Sequence, residues 1–321
     1  MRRSIRRLLG RNDTQEDART DGGTVSRQSR VSVDGETLRG LAFWLPPVIL
    51  VGLFVYGAIA WNLVISLTDW EGLGNPEYGG LDVGMYAQLL SDPTFWNAAK
   101  NTIVLIVVFT VVSLAIGLLV AILVDRNIRF ENTFRTIYLL PMSLSFVVTA
   151  LFWTWMYDYN SGLINELFRF LGLNALAQPW LDEFKLAAVI FALIWQFSGY
   201  CMVVYLAGLR AIPTDQYEAA KADGASTLRM YWRVIVPQLR ASTMSAAVVL
   251  VVFALKAFDF LFVMFGDTPG PSADILALMM FREAFSDSNW AYGSAVAMVL
   301  FVMALGVIGP YLYSQYRRGE L

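Results

Sequence analysis

Few residues in this sequence could carry out chemistry of their own. The 321 residues include no histidine, which removes the commonest general base and the commonest metal ligand. The single cysteine, Cys201, excludes an internal disulfide, and its apolar surroundings favour a packing role. The sequence contains no phosphate-binding loop of the pattern G-x-x-x-x-G-K-S/T, so we do not expect this chain to hydrolyse nucleotides. We predict neither a catalytic residue nor a metal site.

Two charges stand within a stretch that is otherwise apolar. Lys256 and Asp259 are three residues apart, a spacing that lets two side chains meet on one face of a helix. A lone charge would be costly in a membrane, whereas a pair is much less so. We predict an ion pair here, either a neutralised structural pair or a polar element of a gate.

The elements that must position these residues are membrane helices. Hydrophobic residues make up 57% of the chain and charged residues 16%, and the charges cluster between long apolar stretches. Each such stretch reaches the roughly 20 residues that a spanning helix needs, and lipid forces each to be helical. The predicted fold class is all-α, a polytopic membrane protein with six spans: Leu41–Leu67, Thr102–Val124, Thr136–Tyr157, Leu186–Leu209, Ser242–Phe265 and Trp290–Tyr313.

The distribution of lysine and arginine predicts the orientation. With a cytoplasmic N-terminus, the outer segments hold only Lys100, Arg169, Lys185 and Arg282, and almost all other basic residues lie inside. The positive-inside rule therefore predicts that both termini are cytoplasmic. The net charge of −2 gives no general attraction to nucleic acid, and no nucleic-acid partner is expected.

The first 38 residues differ from the rest in composition. They are rich in Arg, Asp, Ser, Thr and Gly and nearly free of aromatic residues, which is typical of a disordered tail. No apolar stretch follows the basic start directly, so a signal peptide is not expected. We interpret residues 1–38 as a cytoplasmic tail, with a basic arm on anionic lipid as the alternative. Residues 39–321 are the predicted membrane domain.

The most informative segment is the loop of residues 210–241 between the fourth and fifth spans, hereafter the signature loop. Pro213 followed by Asp215 favours the start of a helix, and Gly224 favours its end. Small residues between them would let another backbone approach closely, and Glu218 offers one directional polar contact. These properties suit a knob that docks on a partner protein. The alternative is an amphipathic helix on the membrane surface.

The signature loop resembles the cytoplasmic motif of ATP-binding-cassette import permeases, EAA-x3-G-x9-I-x-L-P. The chain has Glu218-Ala219-Ala220, three residues, Gly224, nine residues and then Val234-Ile235-Val236-Pro237, with valine at the family's Ile and Leu positions. The likeness extends from about residue 41 to the end and is nearest to the sugar and glycerol-phosphate branch. Further segments typical of that branch are Gly84–Trp96, Leu140–Pro141, Trp153–Tyr157, Gly162–Asn165 and Ala207–Pro213.

This resemblance implies the type I importer permease fold and a set of partners. The expected assembly has a second homologous permease chain, two ATPase subunits, an extracellular solute-binding protein and a sugar substrate, within the cytoplasmic membrane of a prokaryote. ATP and Mg would be bound by the ATPase subunits, and this chain would hold no cofactor. The resemblance implies that the ATPase subunits contact Glu218, Ala219, Ala220, Asp223, Gly224 and Ala225.

Candidate substrate contacts come from the third and fourth spans. A sugar site needs polar groups for hydroxyls beside flat aromatic faces. Tyr200 resembles, by its position before the motif, an aromatic residue that contacts substrate in the maltose transporter's membrane subunit. The full set of candidates is Trp195, Gln196, Ser198 and Tyr200 in the fourth span, and Ser145 and Thr149 in the third. Each of them could instead bond a neighbouring helix.

Three alternatives remain open on sequence alone. A secondary transporter would usually show internal repeats and more spans in one chain, and no clear repeat is present. A membrane scaffold without a transport role is the second. The third keeps the class and changes the substrate to glycerol-3-phosphate, a polyamine or phosphate. Because Lys256 is the only cation well inside a span, an anionic substrate is less favoured than a neutral sugar.

Overall fold

The computed structural model describes residues 35–125 and 130–318, and the regular structure in these ranges is entirely helical. The chain divides into two compact units, Met1–Leu53 and Phe54–Leu321. In the first unit the described element is helix α1, Gly35–Val51, which includes Pro46 and Pro47. Most of the predicted tail lies outside the described residues, and its last four positions, 35–38, already belong to α1.

The remaining helices follow along the chain. A π-helical turn, Gly52–Tyr56, continues α1 into α2, Gly57–Ile65. The further α-helices are α3 Gly84–Ser91, α4 Pro93–Val124, α5 Glu131–Leu139, α6 Phe146–Met156, α7 Leu163–Phe170, α8 Trp180–Glu183, α9 Lys185–Arg210, α10 Thr214–Ala222, α11 Thr227–Met230, α12 Arg240–Leu255, α13 Phe258–Phe265, α14 Leu276–Phe281 and α15 Trp290–Arg318. Shorter 3-10 turns are Leu140–Ser143, Asn174–Leu176 and Val236–Leu239, and π-turns are Tyr231–Ile235 and Arg282–Ser286.

Five stretches of continuous helix are long and apolar enough to cross a membrane. They are Phe43–Ile65, Pro93–Val124, Lys185–Arg210, Thr227–Leu255 and Trp290–Arg317. The pair Glu131–Ser143 and Phe146–Met156 meets the same criteria together but is bent by 99°. Counted as one broken span, this pair makes the six that the sequence predicts.

Two predicted spans differ from the structure. The predicted third span, Thr136–Tyr157, is broken at residues 140–145, where Pro141 has no N–H to continue the helix. The predicted fifth span, Ser242–Phe265, is interrupted at Lys256 and Ala257, and its helix begins earlier, at Thr227. Hydropathy marks the apolar stretch but not a break inside it.

The core is built on the contact between α4 and α9. Small residues one turn apart on α4, Ser113, Gly117 and Ala121, are buried against α9. A side chain on Gly117 would overlap the Cβ of Cys201, so only glycine permits this approach. Cys201 is a buried packing residue here, as its surroundings in the sequence predict.

Candidate functional site

The signature loop presents one short helix with two unlike faces. On α10 the side chains of Glu218 and Ala219 are exposed, whereas Ala220 is buried. Beyond the helix, Asp223 and Gly224 are exposed and Ala225 is half-buried. The structure thus places most of the predicted contact residues together on an open surface. It turns Ala220 inward, where it fixes the helix to the rest of the protein.

The ends of α10 are set by local backbone chemistry. Pro213 is the N-cap, in the extended conformation that precedes a helix. At the other end Gly224 has φ +71°, its N–H bonds the Lys221 carbonyl and the Ala225 N–H bonds the Ala220 carbonyl. This is the Schellman arrangement, which pairs the last carbonyls of a helix and favours glycine. Gly224 therefore has a structural role whether or not a partner contacts it.

Side chains on the inner face hold α10 to the following segment. The Gln238 Nε2 donates to Gln216 Oε1 at 2.6 Å, and the rings of Tyr217 and Tyr231 meet edge to face at 6.4 Å. The Tyr217 hydroxyl is buried. Burial first, then the nearby Asp125 carboxyl, raises the pKa of Tyr217 to about 12, so the phenol stays neutral.

Charged residues link the ends of three spans beside this loop. The guanidinium of Arg210, at the end of α9, donates to Glu131 at the start of α5. Arg135 lies 3.8 Å from the same Glu131 carboxylate. Asp125 caps the end of α4, and burial raises its pKa although Arg210 opposes the shift. Glu131 therefore connects the start of the signature loop, at Arg210, to the start of the third span.

The bend of the third span is the second site. Residues 140–145, hereafter the bend, separate α5 from α6, and Ser145 Oγ caps α6 by accepting from the Val148 N–H at 3.3 Å. A hollow of about 550 Å³ opens beside it, lined by Ile137, Tyr138, Leu140, Pro141, Ser143, Leu144 and Trp195. Non-helical backbone at membrane depth is tolerated where it is buried in protein or lines a cavity.

Gln196 provides a hydrogen bond to a backbone carbonyl of the bend. Its Nε2 donates to the Leu144 carbonyl at 2.9 Å, a carbonyl that the broken helix leaves free. Its Oε1 is buried without a partner, and so is Thr149 Oγ1. Both side chains are almost fully buried, Gln196 at 2% exposed and Thr149 at 0%. Next to the bend, the part of the chain that the structure describes therefore leaves two buried polar atoms unpaired, and neither residue lines the hollow.

The four candidate contacts on α9 do not share one face. Gln196 and Tyr200 are one turn apart and lie on the same side. Ser198 accepts from the Tyr138 hydroxyl at 2.9 Å, which engages it in helix packing. Trp195 packs edge to face on Trp153 and borders the hollow at the bend. Tyr200 is half-buried and makes no hydrogen bond to any described residue.

The expected ion pair within the fifth span is contradicted. Lys256 and Asp259 are both exposed, and no salt bridge joins these two described residues. The helix breaks between α12 and α13, so the three-residue spacing no longer places the two side chains together. An ion pair forms instead beyond the break, where Arg282 Nη2 lies 2.7 Å from Asp274 Oδ2 in a mostly buried position.

Sequence reasoning missed the residues that support both sites. Asp125, Glu131 and Arg210 are ordinary helix-end residues in the sequence, Tyr217 lies within α10, and their contacts join positions distant in the chain. Pro141 signals a kink, but not that Gln196 would satisfy it. In the described parts of the chain, no group of three or more Asp, Glu or Cys side chains could hold a metal ion.

Known proteins share this architecture. Residues 113–319 match the family described as "Binding-protein-dependent transport system inner membrane component". The chain is 54% identical, over 91% of its length and 92% of the relative's, to the xylose/arabinose import permease protein XacH of Haloferax volcanii. It is 30% identical, over 88% of its length and 83% of the relative's, to the diacetylchitobiose uptake system permease protein NgcF of Streptomyces coelicolor.

A solved structure agrees in fold. A chain in the crystal structure of the bacterial alginate ABC transporter in complex with alginate pentasaccharide-bound periplasmic protein superposes with a TM-score of 0.75, at 21% identity. The match covers 88% of this chain and 95% of that chain, which shows the importer permease fold. The signature loop, the membrane helices and these likenesses agree: the chain belongs to the family of inner-membrane components of binding-protein-dependent transport systems.

Proposed function

We propose that this chain is the permease subunit of an ATP-driven importer that moves a sugar across the cytoplasmic membrane by alternating access. The observation that carries the proposal is the signature loop. Its helix α10 exposes Glu218 and Ala219 to a partner while Gln216, Tyr217 and Ala220 fix it from beneath. A free helix on a firm base is suited to transmit force, which a loosely attached surface helix is not.

The partners follow from the same loop. Two ATPase subunits, which bind ATP and Mg, each grip the α10 of one permease chain, and a second, homologous permease completes the pathway. When the ATPase subunits close, α10 moves with them. The Arg210–Glu131 contact carries that movement into α5 and so towards the bend. This chain supplies no catalytic residue to ATP hydrolysis.

The bend is the proposed substrate region. Discontinuous helices near the middle of a membrane often mark transport sites, because they leave backbone and side-chain polar groups free. Gln196 Oε1 and Thr149 Oγ1 are unpaired and buried, so they reach sugar hydroxyls only when the bend opens, and Tyr200 lies on the same face of α9 as Gln196. Relatives named for xylose and arabinose and for diacetylchitobiose support a neutral sugar as the substrate class.

Orientation completes the proposal. The signature loop and both termini are cytoplasmic, as the distribution of basic residues predicts. A solute-binding protein then delivers sugar at the opposite face, which the segment between α6 and α9 and the segment around α14 form. In this orientation residues 1–38 lie on the cytoplasmic side of the membrane.

Assembly and transport are tested together. The chain is co-expressed with a second permease, an ATPase subunit and a solute-binding protein from the same organism, and reconstituted in vesicles. We expect co-purification of the ATPase subunits and ATP-dependent uptake of xylose or arabinose. Failure of the ATPase subunits to co-purify would reject the class, whereas assembly with uptake of only a non-sugar solute would reject the sugar.

A single substitution separates substrate contact from packing. Tyr200→Ala should lower sugar uptake about tenfold, the loss expected for one buried polar or stacking contact of about 1.4 kcal/mol, and leave assembly intact. Ala115→Ser, on the exposed side of α4, is the control. Normal transport affinity and rate in the Tyr200 variant would show that Tyr200 only packs.

A further inference from the structure

An aromatic hollow lies at the end of α9 opposite the signature loop, and transport does not account for it. It has a volume of about 530 Å³ and is bounded by α6, α7, α8 and α9. Its wall is almost wholly apolar and includes Trp153, Tyr157, Phe168, Trp180 and Phe191. We call it the aromatic hollow.

Contacts between its wall residues hold the aromatic hollow in shape. Neighbouring rings contact each other around the wall, from Trp153 to Tyr157 at 5.1 Å, Tyr157 to Trp180 at 6.2 Å and Trp180 to Phe168 at 6.4 Å. Asn165 is fully buried behind them; its Oδ1 accepts from Trp180 Nε1 and from the Gln178 N–H. These bonds hold the segment between α7 and α8 in place, so the space is preformed.

The polarity of the wall limits what can occupy it. The Tyr157 hydroxyl donates to the Ala188 carbonyl and the Trp180 indole to Asn165, so neither is free. Trp153 Nε1 is buried and unpaired. A sugar would leave most of its hydroxyls without partners, and apolar cavities of this kind do not hold water well. The wall therefore suits a hydrocarbon better than a sugar.

Helix α7 places the aromatic hollow at the membrane boundary. Leu163, Leu167 and Phe170 follow each other along one exposed stripe, while Ile164 and Phe168 face the hollow. The charged pair Arg169 and Glu166 lies between them at 2.8 Å. A short helix that is apolar on most of its surface, with a few charges, lies along the edge of a bilayer.

A second apolar hollow continues the first along α9. It measures about 520 Å³, lies between α4 and α9, and shares Ala187 and Phe191 with the aromatic hollow. Because α4 and α9 are both long and apolar enough to span a membrane, we place this second hollow in the hydrocarbon layer. The wall of the aromatic hollow is made of large rings, which keep a helix at a distance where small residues would admit it.

We propose that the two hollows form a binding site for a membrane lipid, with hydrocarbon chains on either side of the ridge made by Ala187 and Phe191. Ala187 and Phe191 lie on the opposite face of α9 from Gln196 and Tyr200, and Trp195 is the wall that the aromatic hollow shares with the hollow at the bend. A bound lipid fills space that would otherwise lose packing contacts, and it steadies the α7 segment against α9.

The test uses the whole transporter in nanodiscs that contain a phosphatidylcholine with a diazirine at the end of one acyl chain. After irradiation, mass spectrometry of the digested protein locates the labelled residues. We expect strong labelling of peptides that contain Trp153 and Phe168. In Ala187→Trp the indole occupies space in the hollows on either side of the ridge, and we expect labelling of these peptides to fall about tenfold.

Matched controls keep the outcome clear. Ala115→Trp makes the same change at an exposed position of α4 that lines neither hollow, and labelling should stay at the wild-type level. Thermal unfolding confirms that both variants are folded. Equal labelling of the two hollows in Ala187→Trp and wild type overturns the proposal. So does the absence of lipid adducts on these peptides in the wild type.

Discussion

The signature loop and the bend both interrupt helical structure, but they satisfy their free backbone groups in different ways. At the loop, the chain pairs its own carbonyls through the turn at Gly224. At the bend, the Leu144 carbonyl depends on Gln196 from another span. The Gln196 Oε1 atom and Thr149 Oγ1 next to the bend remain unpaired. The loop is thus complete by itself, whereas the bend is held by a long-range contact and retains unused hydrogen-bonding capacity.

This difference fits the roles proposed for the two regions. A surface that receives force should not change shape when its partner moves, and local backbone bonds give that stiffness. A region that opens and closes around a substrate needs contacts that can exchange. The Arg210–Glu131 contact joins the two regions, since it connects the end of α9 to the start of α5. Substitutions at each region should therefore have separable effects.

The largest expected effect is at the exposed face of the loop. Glu218→Arg reverses a charge that the ATPase subunit would meet, and like-charge contact at an interface costs several kcal/mol. We expect substrate-stimulated ATP hydrolysis to fall at least about tenfold, since 1.4 kcal/mol already gives that factor. The measurement is ATP hydrolysis by the reconstituted complex, together with retention of the ATPase subunits in a pull-down.

Asp215→Arg is the matched control, because it makes the same charge change at another exposed site of α10. If both variants lose coupling equally, the net charge of the loop matters and not the position of Glu218. If Glu218→Arg keeps full coupling, this loop is not the coupling element and the proposed function is rejected.

The second effect tests whether the loop depends on its own backbone. Gly224 has φ +71°, a conformation that costs a residue with a side chain about 1–2 kcal/mol but that asparagine tolerates better. Gly224→Ala should weaken ATPase binding severalfold, and Gly224→Asn should weaken it less. A side chain meets no atom of this chain, so Gly224→Trp is strained rather than crowded. Equal loss with Ala and Asn would point to close approach by the partner instead.

How far the sequence predicts these two regions follows from the range of the contacts. The end of α10 at Gly224 is predictable, because helix capping depends on a few neighbouring residues. The spans are predictable from length and hydropathy, because the bilayer imposes both. The bend is only partly predictable: Pro141 marks it, but the 99° angle depends on packing, and Gln196 is 52 residues from Leu144.

The prediction for Lys256 and Asp259 failed for a related reason. Their spacing is right for a continuous helix, and the structure breaks the helix between them. Conversely, Glu131 and Arg210 are 79 residues apart and no local pattern connects them. Local sequence patterns predict the helices well. They predict which side chains pair only where the helix is continuous.

The third effect tests whether the bend depends on another span. Gln196→Leu removes the donor to the Leu144 carbonyl, and an unpaired buried carbonyl costs about 1–3 kcal/mol. Loss of the unpaired Oε1 offsets part of this, so we expect a net destabilisation of about 1 kcal/mol. Thermal unfolding of the purified complex measures it, with Ser198→Ala as the control, since one interhelical hydrogen bond in a membrane averages about 0.6 kcal/mol. A Gln196→Leu complex as stable as wild type would show that the bend satisfies itself.

The smallest expected effect is at the Tyr217 hydroxyl, and it tests by pH whether the signature loop depends on this polar group. Burial raises its folded-state pKa to about 12, above the ordinary value of 10.0. Below pH 10 the phenol is neutral in the folded and unfolded chain, so Tyr217→Phe should leave stability and coupling almost unchanged. Between pH 10 and about 12, ionisation of the phenol lowers the free energy of the unfolded chain but not of the folded chain. The wild type therefore loses stability over this range, and the Phe variant does not. Thermal unfolding at pH 8 and pH 11 measures this difference, with Tyr78→Phe in an exposed loop as the control.

A marked loss of coupling in Tyr217→Phe at pH 8 would show that the hydroxyl itself holds α10, and the loop would then depend on a long-range polar contact, as the bend does.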